Sequence, residues 1–377
     1  IELVPHLVTG PTGDNAPEPE LLIDYARYDC GKVASRYGLE FPADAEKPDV
    51  RAVKLAARML AAASDSEFPQ LVATVGHTLW QSGLGEMITL EDRLGALSME
   101  EAKDKMAAGN KLRDELGHFS GAMFHYEGEW YWGVDRLYHL ENRLTELGAR
   151  HGSGRQLLAP RPTIEKGRYK DKRTLTLEYY PSLRSPYTSI IHDKTVSMAL
   201  DMRVNLSVRP VMPMVMRGVS LSQNKSRYIV TDTAREAETL GVRFGKMYDP
   251  IGDPVRKAFS LYPFAMSQDR GNAFISAFLR AAFARGVNTN NNRGLKWVCD
   301  EAGLDWKEAK EHIGDTGWED MLEENLLAMY IFGLWGVPSY RLLDPEGKVL
   351  LAVWGQDRLW LVSRTIQDRL RAQQGAI

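Results

Sequence analysis

A short sequence motif occurs twice in this chain and constrains its folding more than any other feature. Residues 132–137 read Trp-Gly-Val-Asp-Arg-Leu and residues 354–359 read Trp-Gly-Gln-Asp-Arg-Leu, at an offset of 222 positions. Two further matches follow the same order along the chain: Tyr25–Phe41 with Tyr228–Phe244 and, more weakly, Pro5 with Pro210. Three collinear matches indicate an internal duplication. Two copies also suit a chain of 377 residues, which is long enough for two domains.

The duplication predicts three segments. The first copy spans residues 1–148, a linker spans 149–172, and the second copy spans 173–377. The linker contains His-Gly-Ser-Gly at 151–154 and more basic than acidic residues. A basic binding patch is one interpretation, but the Gly and Pro content is more typical of a solvated connection.

The second copy has the clearer pattern, and it predicts an α/β fold. Its predicted elements are a strand at 174–180, a helix from Ser185-Pro186 to about 203, a strand at 205–214, a helical insertion at 226–332, strands at 339–343 and 348–354, and a helix at 358–371. The crossover rule makes the first two strands parallel. The order is β-α-β, a helical block, then β-β-α.

The first copy is shorter. Ile1–Pro5 aligns with the second strand of the other copy, so a first strand and helix are missing from the sequence. Because a lost central strand would leave backbone groups unpaired, we expect roughly 35–40 further residues before Ile1, or another segment in that place. No Val-Pro pair precedes residues 121–124, which favours a degenerate, structural half with its own helical insertion.

Composition excludes several classes of protein. The net charge is -3, without the concentrated basic surface that nucleic-acid binding needs. The longest apolar run, 326–337, is too short to span a bilayer. Cys30 and Cys299 stand alone, and the histidines show no metal spacing, so we expect neither a dithiol site nor a metal site. Two isolated cysteines suit a reducing cytoplasm.

Three motifs of the second copy are candidates for chemistry. They are Ser185-Pro186-Tyr187-Thr188, Gly336-Val337-Pro338 and Gly355-Gln356-Asp357-Arg358. Each has a structural explanation when taken alone, namely helix capping, the start of a strand, and an acid in a first helical turn. Their order and spacing together give them more weight.

With these motifs the chain resembles the DsbA-like branch of the thioredoxin superfamily. Within that branch it resembles 2-hydroxychromene-2-carboxylate isomerases and kappa-class glutathione transferases, as a tandem duplication. The matching residues are Tyr179-Tyr180, Ser185-Pro186-Tyr187, Arg209-Pro210, Asn224-Lys225, Gly336-Val337-Pro338 and Trp354 to Arg358. The resemblance covers about 173–370, and the first copy shares Trp132 to Arg136.

The resemblance implies a role for Ser185. Ser185 and Thr188 stand where redox relatives carry the two cysteines of a C-x-x-C motif, and no thiolate can form there. Instead, Ser185 is implied to hydrogen-bond the thiolate of bound glutathione. A hydrogen bond to a charge contributes about 1.5–3 kcal/mol and a helix terminus about 0.3–1 kcal/mol, which lowers a thiol pKa by roughly 1.5–3 units.

The resemblance also implies the remaining glutathione contacts. The backbone of Val337, before an expected cis Pro338, would meet the cysteinyl amide. Gln356 and Asp357 would hold the γ-glutamyl end. The other implied contacts are Pro186 and Tyr187 beside Ser185, Asn224 and Lys225 at the glycyl carboxylate, and Arg358, which alternatively pairs with Asp357. Arg184 is unusual among relatives, and its charge either assists the thiolate or indicates a changed substrate.

Two hypotheses from different classes follow. The first is a glutathione-dependent isomerase or transferase that acts on a small aromatic or conjugated carboxylate, with a homodimer as one possible state. The second is a catalytically silent binding or scaffold protein on the same duplicated fold. The two differ in whether glutathione binds at Ser185.

Overall fold

The computed structural model describes residues 3–42, 45–149 and 156–375. The chain divides into two compact units. The first unit is Ile1–Arg161 with Ser222–Lys225, and the second is Pro162–Leu221 with Ser226–Ile377. The Gly-rich part of the predicted linker, 151–154, lies outside the described residues.

The first unit is mainly helical. Its helices are α1 (Pro19–Val33), α2 (Val50–Ala62), α3 (Phe68–Gln81), α4 (Leu84–Leu94), α5 (Met99–Glu115) and α6 (Leu137–Glu146), and its strands are β1 (Met123–Tyr126) and β2 (Glu129–Trp132). Apolar side chains of α2, α3 and α4 form its core, with Met59 and Met87 fully buried. Helix α5 starts with a capping box, in which Ser98 and Glu101 satisfy each other's backbone N–H groups.

The prediction of a strand that ends at Pro5 is wrong for Leu3–Pro5, the part of it that the structure describes. From Leu3 to Thr12 the chain has no regular structure. Instead it runs along α5, where the Thr9 N–H donates to Asn110 Oδ1 at 2.9 Å. The physical reason is the lack of a partner, because β1 and β2 pair only with each other. No parallel strand pair occurs in the described part of the first unit, so a β-α-β unit is not seen there.

The second unit has the predicted order of elements. They are β3 (Thr176–Tyr180), α7 (Pro186–Met202), β4 (Asn205–Val208), α8 (Gln223–Leu240), α9 (Asp253–Ser267), α10 (Gly271–Arg280), α11 (Asn292–Ala302), α12 (Trp306–Ala309), α13 (Trp318–Tyr330), β5 (Ser339–Leu343), β6 (Val349–Trp354) and α14 (Leu359–Gly375). Strand β4 ends at Val208, earlier than predicted. Pro210 and Pro213 follow it, and proline cannot donate a ladder hydrogen bond.

The four strands of this unit form one mixed sheet in the order β4-β3-β5-β6. Strands β3 and β4 are parallel, as the crossover rule predicts, and β5 is antiparallel to both β3 and β6. The α/β fold class, with thioredoxin-like β-α-β and β-β-α halves around a helical insertion, is confirmed in this unit. Within the described ranges, no helix is long and apolar enough to cross a membrane.

The two faces of the central strand β3 differ in polarity. Tyr179 lies on the α7 side, with its ring centroid 5.7 Å from that of His192. Glu178 and Tyr180 lie on the opposite side because side chains alternate along a strand. Separate from the sheet, helices α9, α10 and α11 bury an apolar core rich in phenylalanine. The sheet and this core hold the start of α7 in place.

Candidate functional site

Ser185 is the N-cap of α7, as the Ser-Pro pair predicts. Its Oγ accepts a hydrogen bond from the Thr188 N–H at 3.1 Å, and Pro186 occupies the first turn. The residue is 8% exposed. Because the Oγ uses a lone pair for the cap, its own hydroxyl proton remains available for an outside acceptor. The site therefore presents an O–H donor at the positive end of a helix.

The sheet brings the second and third motifs together. The peptide bond between Val337 and Pro338 is cis, as expected. The next residue, Ser339, pairs with Tyr180 of β3 on one side and with Trp354 of β6 on the other. The Gly355 N–H donates to the Pro338 carbonyl at 2.9 Å.

Close packing fixes this arrangement further. A Cβ atom at Gly336 would overlap the indole of Trp354, so only glycine fits there. The turn at Gln356–Arg358 packs against α7, whose first residue follows Ser185. The three motifs thus lie at one edge of the sheet.

Asp357 and Arg358 pair with each other. Arg358 Nη1 is 3.6 Å from Asp357 Oδ1, which is the alternative that the sequence left open for this arginine. The carboxylate of Asp357 lies so close to Gly355 that a Cβ atom there would overlap it. Gly355 has a φ of 116°, a conformation that glycine adopts readily.

Helix α8 supplies two buried carboxylates that the sequence reading missed. Asp232 accepts a hydrogen bond from the Tyr187 hydroxyl at 2.8 Å, and Glu236 accepts one from Gln356 Nε2 at 2.7 Å. Both acids are almost fully buried. Their spacing of four residues, which places them on one helix face, was the available signal. Two predicted site residues are therefore held by α8.

Asn224 and Lys225 group with the first unit rather than with the second. Lys225 Nζ donates to the Asn15 carbonyl at 3.0 Å, and the ammonium lies 5.9 Å from the centroid of the Phe119 ring. Burial lowers the pKa of Lys225. The contact of these two residues with a glycyl carboxylate stays a prediction.

Arg184, the unusual residue before Ser185, is already paired. Its Nε and Nη2 atoms each donate to one carboxylate oxygen of Asp249 at 2.7 Å. This fork geometry is the strongest that an arginine and a carboxylate form. The charge of Arg184 is therefore largely balanced. Asp249 was not singled out from the sequence, because it lies 65 positions away without a motif.

Several polar groups are buried below Ser185. Thr188 Oγ1, His192 Nδ1 and the Tyr179 hydroxyl have no hydrogen-bond partner in the described chain. His192 Nε2 lies 3.1 Å from the Asn272 carbonyl, and burial lowers the pKa of this imidazole. A neutral histidine is consistent with such a site, because an apolar interior disfavours the charged form.

The two cysteines lie apart from this site. Cys30 is on α1 in the first unit and is exposed, whereas Cys299 is buried on α11. Burial raises the pKa of the Cys299 thiol to about 12, so it stays protonated at neutral pH. In the part of the chain that the structure describes, no group of three or more His, Cys, Asp and Glu side chains could hold a metal ion.

Residues 176–367 match the sequence profile of the DSBA-like thioredoxin domain. The chain belongs to this family. The matched range starts at β3 and ends within α14, so the resemblance inferred from the motifs is confirmed at the level of the DSBA-like domain. Only one such domain is matched, in the second half of the chain. No curated protein sequence matches the chain.

Solved structures similar to this DSBA-like chain include three of interest. A 2-hydroxychromene-2-carboxylate isomerase is 15% identical, with a TM-score of 0.45 over 54% of this chain and 99% of that one. A probable DsbA oxidoreductase from Streptomyces coelicolor is 16% identical, with a TM-score of 0.40 over 52% and 90%. The cytosolic disulfide reductase DsbM from Pseudomonas aeruginosa, with GSH, is 15% identical, with a TM-score of 0.40 over 53% and 98%.

Proposed function

We propose that this DSBA-like protein is a glutathione-dependent isomerase or transferase acting on a small aromatic or conjugated carboxylate. The observation that carries the proposal is the Ser185 hydroxyl at the N-terminus of α7, with its proton available. Bound glutathione would supply a thiolate that adds to a conjugated double bond and, in an isomerase, leaves again after rotation about that bond.

Ser185 would stabilise negative charge on sulfur rather than attack the substrate. Its hydroxyl donates toward the sulfur, while the Thr188 N–H holds the oxygen in place. The cap also fixes the hydroxyl relative to the helix terminus, where the partial positive charge favours an anion. Both effects lower the pKa of a bound thiol, so that more of it is ionised at neutral pH.

The edge beside Ser185 fits a peptide-like ligand. The Val337 N–H and C=O form no hydrogen bond within the described chain, so its backbone can pair with the cysteinyl amide. The half-buried Asp357 would meet the ammonium of the γ-glutamyl group, and Gln356 lies beside it. Pro186 and Tyr187 would line the same side. These assignments form part of the proposal.

Disulfide chemistry is the weaker alternative in this proposal. Positions 185 and 188 carry hydroxyls, and a hydroxyl cannot form a disulfide. Cys299 is buried and has a raised pKa, so it is not a reactive thiol. A cytoplasmic location and a homodimeric state are further predictions that accompany the proposed function.

A duplication is also part of the proposal. The two Trp-Gly-x-Asp-Arg-Leu segments have the same local structure, a strand followed by a glycine with positive φ, a short 3-10 turn and a helix. We infer that both derive from one ancestral hairpin-and-helix segment. A separate origin would require this structure to have arisen twice with five of six residues identical.

Calorimetric titration with glutathione tests the proposed function. We expect saturable binding to the wild-type chain and loss of turnover, but not of folding, in Ser185→Ala. Absence of heat up to millimolar glutathione would reject the enzyme and favour the scaffold hypothesis.

A further inference from the structure

An ion pair joins the segment Phe244–Gly252, which we call the wall segment, to Arg184, the residue before Ser185. Asp249 in this segment receives both hydrogen bonds of the Arg184 fork. Asp249 Oδ1 also accepts the Ile251 N–H at 3.2 Å. Because Arg184 directly precedes the N-cap residue Ser185, this ion pair attaches the wall segment to the residue next to the proposed thiolate site.

The other side of the wall segment is fixed to the helical core. The Gly245 N–H donates to the Phe283 carbonyl at 2.9 Å, and the Tyr248 N–H donates to the Ala282 carbonyl at 2.8 Å. Both acceptors lie in a π-helical turn, Ala281–Arg285, which continues α10. Such turns leave carbonyl groups without their usual helical partners, so they can bind a neighbouring strand-like segment. The wall segment therefore has a defined path although it contains no helix or strand.

Two apolar side chains on the wall segment face solvent. Met247 is 43% exposed and Ile251 is 48% exposed, and each lies two residues from Asp249. Their exposure leaves both side chains accessible to a bound ligand. Because Asp249 joins this segment to the residue before Ser185, an apolar electrophile at the thiolate is the ligand that these side chains would contact.

We propose that Asp249 is a positioning residue that balances the charge of Arg184 and holds Met247 and Ile251 as an apolar surface for the conjugated part of the substrate. This inference rests on the proposed function, because it assumes a glutathione thiolate at Ser185. Other charged side chains at this edge are Asp357, which pairs with Arg358, and the buried Asp232 and Glu236 of α8, which accept hydrogen bonds from Tyr187 and Gln356. Asp249 thus balances the positive charge on the residue directly before Ser185.

Three variants separate the electrostatic effect from the positional effect. Asp249→Asn leaves the Arg184 charge unbalanced, Arg184→Gln leaves the Asp249 charge unbalanced, and the double variant removes both charges. All three variants lose the paired hydrogen bonds between Arg184 and Asp249 that hold the wall segment. The two readouts are the ultraviolet absorbance of the bound thiolate as a function of pH, and the KM for benzylideneacetone, a conjugated aromatic enone.

We expect opposite shifts of the thiol pKa in the two single variants. Asp249→Asn lowers the pKa of bound glutathione by about 0.2–0.7 unit and Arg184→Gln raises it similarly, because a partly exposed pair is worth less than about 1 kcal/mol. The double variant returns the pKa to the wild-type value. The KM for the enone rises about fivefold in all three, since the apolar surface loses its fixed position.

The matched control is Asp300→Asn, which breaks an exposed Lys296–Asp300 pair on α11 and should change neither readout. If the single variants bind glutathione with wild-type affinity and the pKa of the bound thiol does not change, the inference is overturned and the proposed function stays intact. Opposite pKa shifts with an unchanged KM would also overturn it, because Asp249 would then not position the wall segment. No thiolate absorbance in the wild-type protein would reject the proposed function, and the inference with it.

Discussion

The two copies of the Trp-Gly-x-Asp-Arg-Leu motif allow a comparison within one molecule. We call β1, β2 and α6 the first hairpin module, and β5, β6 and α14 the second. In each, the glycine after the tryptophan donates its N–H to the residue just before the hairpin. Gly133 donates to the Ala122 carbonyl at 3.0 Å, and Gly355 donates to the Pro338 carbonyl at 2.9 Å.

What surrounds the hairpin differs between the modules. Strands β1 and β2 form a sheet of two, whereas β5 also pairs with β3 and through it with β4. Strand β3, which pairs with β5, leads through Ser185 into α7, whereas in the described part of the first unit the hairpin pairs with no further strand. The comparison teaches that a motif determines a local shape, while the neighbouring elements determine whether that shape can become a site.

The largest predicted difference concerns buried charge. In the second unit, Glu178 accepts hydrogen bonds from Arg341 of β5, from Arg209 and from the Tyr180 hydroxyl. Glu178→Gln should destabilise this unit by about 3–5 kcal/mol, because it leaves two guanidinium groups without their counter-charge. Glu129→Gln in the first module should cost less than about 1 kcal/mol, since Glu129 is 50% exposed. Urea unfolding followed by circular dichroism compares the two variants, and equal losses would contradict the difference in burial.

The second prediction concerns packing before the hairpin. Gly336→Ala should destabilise the second unit by about 1–3 kcal/mol, because the added methyl group overlaps Trp354. The corresponding residue before the first module is Ser120, two positions before Ala122, and Ser120→Ala should change stability by less than about 1 kcal/mol. Hydrogen exchange of the hairpin amides measures both changes. Unchanged protection of β5 and β6 in Gly336→Ala would show that the indole can move aside.

The third prediction is an acid sensitivity of the first unit, at a histidine just before β1. Burial lowers the pKa of His118 to about 4, and the Ser120 N–H donates to its Nδ1 at 3.1 Å. A folded pKa below the unfolded value near 6.5 means that stability is complete above that pH and falls as the pH drops toward 4. The loss between pH 7 and pH 5 should be about 2 kcal/mol. Unfolding curves at both pH values, compared with His118→Leu, measure it, and a slope that survives the substitution would assign the effect to another group.

The smallest predicted difference concerns ligand binding by the two aspartates. Asp357→Asn should weaken glutathione binding about tenfold, through loss of one charged hydrogen bond. Asp135→Asn at the matching position of the first module should leave the affinity unchanged. Calorimetry on the full chain compares both variants. Equal weakening would mean that the first module also contributes to glutathione binding.

Much of the second unit followed from local sequence rules. Ser185-Pro186 predicted the start of α7, and β-branched and aromatic residues predicted strand β3. These features depend on residues that are close in sequence. The same rules failed at Leu3–Pro5, where an apolar run has no strand beside it to pair with.

The site itself could be predicted only in part. Ser185 and the Val337-Pro338 bond carry recognisable local patterns, whereas the partners Asp232, Glu236 and Asp249 come from the helical insertion and the wall segment. The spacing of Asp232 and Glu236 places them on one helix face, but the partners of all three acids depend on how distant elements pack. The pairing of Arg184 with Asp249, across 65 positions, is the clearest example.

The most direct test of the central claim is the pKa of glutathione bound to the wild-type chain and to Ser185→Gly. Glycine retains most of the helix-capping stability, so this variant removes the hydroxyl with little effect on α7. We predict a bound thiol pKa roughly 1.5–3 units below that of free glutathione, and a rise of about 1–2 units in Ser185→Gly. Thiolate absorbance measured against pH gives both values. An identical pKa in the two proteins would contradict the assignment of Ser185 as the group that stabilises the thiolate.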